Sequence, residues 1–174
     1  LNGRRYREAA EAFAALRQQY PRSGYAPDSY YWQAFSLSRL GAQADYRRAR
    51  DLLRSQIDTY PTASTLADAR ALLLRAESHL ARGGDAQAAQ TITQQATAAC
   101  GPEQELRAAA LSALLNMNAE RAIPILKEVL ESRDACSAEL RRQAVFLISQ
   151  KMTDESVDIL LDLAHRNPDP DPEV

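Results

Sequence analysis

Lysine is almost missing. Of 21 basic residues only Lys127 and Lys151 are lysines, so arginine carries nearly all the positive charge, a bias that fits genome composition better than function. Cysteine is as scarce: Cys100 and Cys136 are too few for a disulfide scaffold or a closed zinc site built from protein ligands alone. The two histidines, His79 and His165, lie far apart with no cysteine or histidine at ligand spacing. Each falls near a helix C-terminus, where a surface role complementing the helix dipole accounts for it. No stretch approaches the roughly 20 consecutive apolar residues that a membrane-spanning helix needs. The glycines make no phosphate-binding loop, since Gly83-Gly84 is a lone pair that reads as a turn. A Gly-x-Ser-x-Gly motif is absent as well. The formal net charge of −2 argues against general nucleic-acid binding.

What is present is repetition. Tyr6-Arg7-Glu8-Ala9, Tyr46-Arg47-Arg48-Ala49 and Ala86-Gln87-Ala88-Ala89 follow one another at a fixed offset, and Tyr20-Pro21 recurs as Tyr60-Pro61. Asp28 and Asp68, Ser38 and Ser78, and Leu40 and Leu80 keep the same register. Self-similarity over about 40 residues with helical patterning marks stacked helix pairs.

Apolar residues at three- and four-residue steps predict a helix over 4–20, in which Tyr6, Ala9, Ala10, Phe13, Leu16 and Tyr20 form one stripe. Pro21 stops it. Asp28 stands where its carboxylate would cap the following helix, which runs to about Leu40, and Gly41 supplies the left-handed terminus. Helices over 44–59, 66–81 and 85–99 follow. Small residues at one place in each repeat (Ala9, Ala49, Ala89) let helices approach closely, and a bulky residue beyond (Phe13, Leu53) fills the adjoining hole.

Residues 20–41, with Trp32, Ala34, Leu40 and Gly41, followed by Tyr46, Ala49, Leu53 and Pro61, resemble tetratricopeptide repeats over about 4–99. The variety is similar to that of exported bacterial proteins such as the Tol–Pal system coordinator. The departures are Ala42-Gln43-Ala44, inserted before Asp45, and Thr93, which stands where Phe13 and Leu53 stand in earlier copies.

After Gly101-Pro102 the period changes. Glu105-Leu106-Arg107 recurs 34 positions on as Glu139-Leu140-Arg141, and Ile123, Ile125 and Leu126 map onto Val157, Ile159 and Leu160. Helices are predicted over 103–116, 119–132, 137–150 and 153–166, with Asn118 and Thr153 as caps. Pro124 lies early in its helix, where a missing N–H costs little. The Leu-Arg pair and the Ala-Ile-Pro-Ile-Leu run resemble HEAT repeats. A third unit begins at Glu173-Val174, which suggests a fragment of a longer array.

The expectation is an all-α chain, an α-solenoid of stacked antiparallel helix pairs, tetratricopeptide-like over 1–100 and HEAT-like over 101–174. Residues 1–100 carry a charge of +4 and 101–174 a charge of −6, which gives the halves different surfaces or reflects ordinary drift. Paired carboxylates such as Asp154-Glu155 and Asp158-Asp162 fit a helix start and a solvated face better than acid–base catalysis. Cys100 and Cys136 fall in loops at one edge of the HEAT-like units. A disulfide between them and a pair of ordinary loop residues are both open readings.

Binding is the expected trade, with no cofactor and no catalytic residues. The resemblance places the helix bearing Tyr30 and Tyr31 along a concave groove, where these aromatics either anchor a partner or simply pack. Arg121, Lys127, Glu155 and Asp158 would present charge on the second half. The partner is a protein or peptide, not nucleic acid and not a membrane interior. The alternative is a helical regulatory or substrate-docking portion of a larger enzyme, and self-association through repeat ends is a third expectation. The likeness to exported repeat proteins implies a periplasmic or otherwise exported location, with the cytoplasm as the alternative.

Overall fold

A computed structural model describes residues 2–97, 104–114, 117, 119–132 and 137–165. Among them every regular element is an α-helix: α1 (Asn2–Gln19), α2 (Ala26–Ser38), α3 (Gln43–Thr59), α4 (Leu66–Arg82), α5 (Ala86–Thr97), α6 (Gln104–Leu114), α7 (Ala119–Glu131), α8 (Ala138–Ser149) and α9 (Asp154–His165). These spans lie close to the predicted ones because their boundaries are set by residues that cannot continue a helix. The fold is all-α, of the α-solenoid kind, in which neighbouring helices pack as pairs.

The chain divides into two compact units, Leu1–Asp85 and Ala86–Val174. In the first, α2 packs against both α1 and α3, α4 packs against α3, and α2 lies beside α4, which makes two layers. Ala34, Ala49 and Ala69 are fully buried where these helices approach, and Leu53 fills the space between them. The 40-residue repeat reappears in the turn hydrogen bonds. The Tyr20 N–H donates to the Leu16 carbonyl at 2.8 Å and the Tyr60 N–H to Gln56 at 2.8 Å. Ser23 and Ala63 then donate to Tyr20 and Tyr60, each at 3.0 Å. The chain therefore leaves α1 and α3 through one and the same Tyr-Pro turn. Gly41 and Gly84 end α2 and α4 at φ of +83° and +89°, the left-handed region that favours glycine. The helices start in register but α4 is 17 residues long and α2 only 13. α3 takes up most of the difference by starting at Gln43, three positions ahead of α5 in the 40-residue register, so two of the apparently inserted residues 42–44 are the first two of α3.

Asp28 does not cap its own helix. α2 begins at Ala26, with Tyr25 at the cap position, and the Asp28 carboxylate turns instead toward the start of α4. Its oxygens accept the Ser64 hydroxyl at 2.8 Å, the Thr65 N–H at 3.0 Å and the Thr65 hydroxyl at 2.9 Å. Burial alone would raise its pKa, but the bonds from Ser64 and Thr65 outweigh that and hold it below the ordinary carboxylate value.

In the second unit α5 packs on α6 and α7, α7 on α8, and α8 on α6 and α9. The spacing assigns α5 to the first repeat set, whereas its packing places it here. Ala88, Ile92 and Ala96 form its buried stripe, and Thr93 turns its hydroxyl back onto the Ala89 carbonyl at 2.9 Å. Thr93 thus bonds within its own helix, where Leu53, one repeat earlier, is fully buried in the core. Thr153 caps α9 as the sequence predicts. Its hydroxyl accepts the Ser156 N–H at 3.2 Å while Ser156 Oγ accepts the Thr153 N–H at 2.9 Å, a reciprocal capping box. The proposed Asn118 cap lies outside the described residues.

Candidate functional site

Tyr30 and Tyr31 occupy successive positions on α2 and meet different surroundings. Tyr30 is half-buried, its ring 5.7 Å from that of Tyr60 and covered on one face by the Arg17 guanidinium at 4.1 Å. Arg17 is itself fixed by donation to Ser29 Oγ at 3.2 Å and to Gln33 Oε1. Tyr31 leans on the core beside Phe35, with Trp32 edge-on at 4.9 Å. Burial pushes its phenol pKa up, with Asp68 adding to the rise. Of the aromatics on and just before α2, Tyr25 is 77% exposed, Tyr20 62% and Trp32 44%. Residue counting cannot reveal this, because exposure on a helix face depends on which neighbour is present.

A second feature of this unit escaped the sequence altogether. A cleft of about 430 Å³ opens over α1, α2 and α3. Its floor includes Ala10, Leu37 and Leu52, and Arg7, Glu11 and Arg48 stand at its rim. Neither tyrosine lines it. A cleft of this kind depends on the separation of two helices, which no periodicity encodes.

Between α3 and α4 lies a buried polar cluster. Glu77 is fully buried and accepts a hydrogen bond from Arg54 Nη2 at 2.6 Å. Its other carboxylate oxygen has no hydrogen-bond partner. Desolvation raises the Glu77 pKa, and Arg54 and Arg50 only partly offset it. Asp85 takes ionic contacts from Arg47 at 3.3 Å and Arg50 at 3.8 Å. His79, expected as a surface residue, is half-buried and stacks on Tyr46 with ring centroids 3.9 Å apart. Burial and nearby Arg82 lower its pKa. These contacts hold two helices together.

In the second unit Arg121 and Lys127 are exposed on α7, and Glu155 and Asp158 are exposed on α9. Two basic side chains that the sequence did not offer as binding residues are more telling. Arg141 is 2% exposed, and its Nη1 donates to the Ser132 carbonyl beyond the end of α7 at 2.8 Å and to Ser137 Oγ at 2.5 Å. Lys151 Nζ donates to the Met117 carbonyl at 2.6 Å. Met117 stands one 34-residue repeat before Lys151, so this bond joins equivalent turns of successive units. Cys100 and Cys136 lie outside the described residues, as does the pairing considered for them. Among the described residues no group of three or more His, Cys, Asp or Glu side chains is placed to hold a metal ion. No described helix is long and apolar enough to cross a membrane.

Layered helix pairs, repeat-to-repeat hydrogen bonds and a buried arginine following a leucine define the helical-repeat class. Within the chain, residues 106–132 match the family of PBS lyase HEAT-like repeats. No curated protein and no solved structure matches the chain.

Proposed function

We propose that the chain is a non-catalytic interaction scaffold that binds a protein or peptide partner. The observation that carries this reading is the HEAT-like match over residues 106–132, since HEAT-like repeats generally mediate protein–protein interaction. The 34-residue echo of that unit in α8 and α9 extends the same surface.

We read the first unit as tetratricopeptide-like. The support is its 40-residue recurrence, repeated bond for bond in the turns, and the layering of α2 beside α4. In that reading α2 faces the partner. Tyr30 is held by Arg17 and Tyr60, and exposed Tyr25 and Trp32 supply amphipathic anchor area. Arg121, Lys127, Glu155 and Asp158 give the second unit a charged rim suited to complementary polar contacts. The likeness of the first unit to exported repeat proteins supports a bacterial periplasmic location. Cell fractionation that finds the protein wholly in the cytosol would overturn that placement.

The purified chain, immobilised and exposed to lysate, tests the binding reading. Wild type should retain a partner that Tyr30→Ala/Trp32→Ala recovers at least about tenfold less well, as expected when anchor aromatics are truncated. Circular dichroism confirms that the variant is folded. Equal recovery by both proteins overturns the groove assignment.

A further inference from the structure

The 40-residue repeat sets the cleft over α1, α2 and α3 beside a second copy of itself within the first unit. Ala10, Ala14 and Leu37 line the cleft, and the residues 40 positions on are Arg50, Arg54 and Glu77. In that second copy they form the buried cluster between α3 and α4. Arg54 donates to Glu77 at 2.6 Å, and Arg50, only 8% exposed, reaches Asp85 at 3.8 Å. Asp85 is the counterpart of Asp45, which lines the cleft. Arg47, which meets Asp85 at 3.3 Å, is the counterpart of Arg7. The first copy thus keeps the carboxylate and one arginine of the cluster, and has alanine where two arginines stand in the second.

That difference shows what chemistry fits. The floor at Ala10, Leu37 and Leu52 is apolar and suits the methylenes of a long side chain. Asp45 is half-buried, and among the described residues its carboxylate takes no hydrogen bond or ion pair. An aliphatic occupant would strip water from that carboxylate and return no partner, which is unfavourable. A guanidinium returns several N–H donors in a flat fork. Glu11 stands at the rim as a second carboxylate, while Asp51, the third, is already engaged by Arg50 at 3.2 Å. Arg7 and Arg48 at the rim are exposed, so water and salt screen their repulsion more than they screen a contact on half-buried Asp45.

We propose that this cleft takes an arginine side chain of a partner peptide, with its methylenes on Ala10, Leu37 and Leu52 and its guanidinium on Asp45. This deepens the interaction reading and rests on it only in taking the chain to be a binder of proteins. The contact is distinct from the exposed Tyr25 and Trp32, neither of which lines the cleft.

The probe is a capped pentapeptide, one arginine flanked by two alanines on each side, titrated into the isotope-labelled full chain and followed by NMR amide shifts. Saturating shifts centred on Ala10, Ala14, Leu37 and Leu52 are expected, with a Kd of about 1 mM that weakens as salt rises. Citrulline in place of the arginine keeps the shape, loses the charge and should bind at least about tenfold more weakly. Asp45→Asn in the full chain should lose as much. Ala10→Arg builds the side chain of the second copy into the first and should abolish the saturable shifts. Circular dichroism checks that variant, and Ala14→Arg replaces it if helix is lost. Absence of saturable shifts in wild type overturns the proposal, as does equal binding by Asp45→Asn or by the filled variant. A leucine pentapeptide that binds as tightly as the arginine one would assign the cleft to an apolar side chain and overturn it too. Tyr30→Ala/Trp32→Ala should bind the arginine peptide as wild type does, so a failed lysate capture and a failed titration point to different surfaces.

Discussion

Asp28 shows how one carboxylate can join three helices. It sits in the first turn of α2 and receives the hydroxyl and N–H of Thr65, while Thr65 Oγ1 accepts Gln56 Nε2 from α3 at 2.7 Å. Asp28→Ala should cost about 1–3 kcal/mol at neutral pH, the range for leaving partly buried donors without their charged acceptor. Its folded pKa is lowered, so the contribution is present above the ordinary value of 3.8 and is lost as pH falls through the lower folded value. Urea titrations of both proteins should show the gap closing only below that value. Glu77 carries the opposite sign. Its folded pKa is raised above the ordinary 4.5, so its contribution is full below 4.5 and is lost as pH rises through the folded value. The stability of wild type relative to Glu77→Gln should therefore drift against wild type as pH climbs from 4.5. A difference independent of pH would mean that Arg54 compensates the burial fully. Neither role was legible beforehand. The spacing places Asp28 at a helix start but cannot say which helix its carboxylate faces. Glu77 reads as one more charge on an amphipathic helix until its neighbours are in place.

Helix boundaries, by contrast, were readable because each is enforced by local chemistry. Tyr-Pro ends α1 and α3, Thr153 opens α9, and Gly41 and Gly84 close α2 and α4 with left-handed backbones. The two-layer packing followed from the same periodicity, since a helix with one apolar stripe must lay it on another. The grouping of α5 with α6 and α7 did not follow, because its weak apolar stripe suits either side. The claim about Gly41 can be separated from a generic glycine effect. Gly41→Ala should cost about 1 kcal/mol, since a Cβ at φ +83° is strained although open space surrounds it. Gly24→Ala, also in open space but with no left-handed backbone, should change stability by less than about 0.5 kcal/mol. Thermal melts of the two variants side by side make the comparison. Equal losses would remove the conformational explanation for the α2 terminus.

At the scale of the whole chain, stability in stacked repeats comes from each helix leaning on its neighbours, so it should grade with how many neighbours a helix has. α7 and α9 make that a controlled comparison, since they have matching sequence positions, the same unit and, among the described residues, different cover. Ile123→Ala removes a fully buried side chain and should cost about 2–5 kcal/mol, the range for truncating core aliphatics. Val157→Ala, at the equivalent position, removes atoms that already face water and should cost less than about 0.5 kcal/mol. Amide hydrogen exchange should follow the same order, with α9 exchanging faster than α7 because less apolar surface must be exposed to open it. Exchange equally slow in both helices would mean that burial by neighbours does not set the gradient.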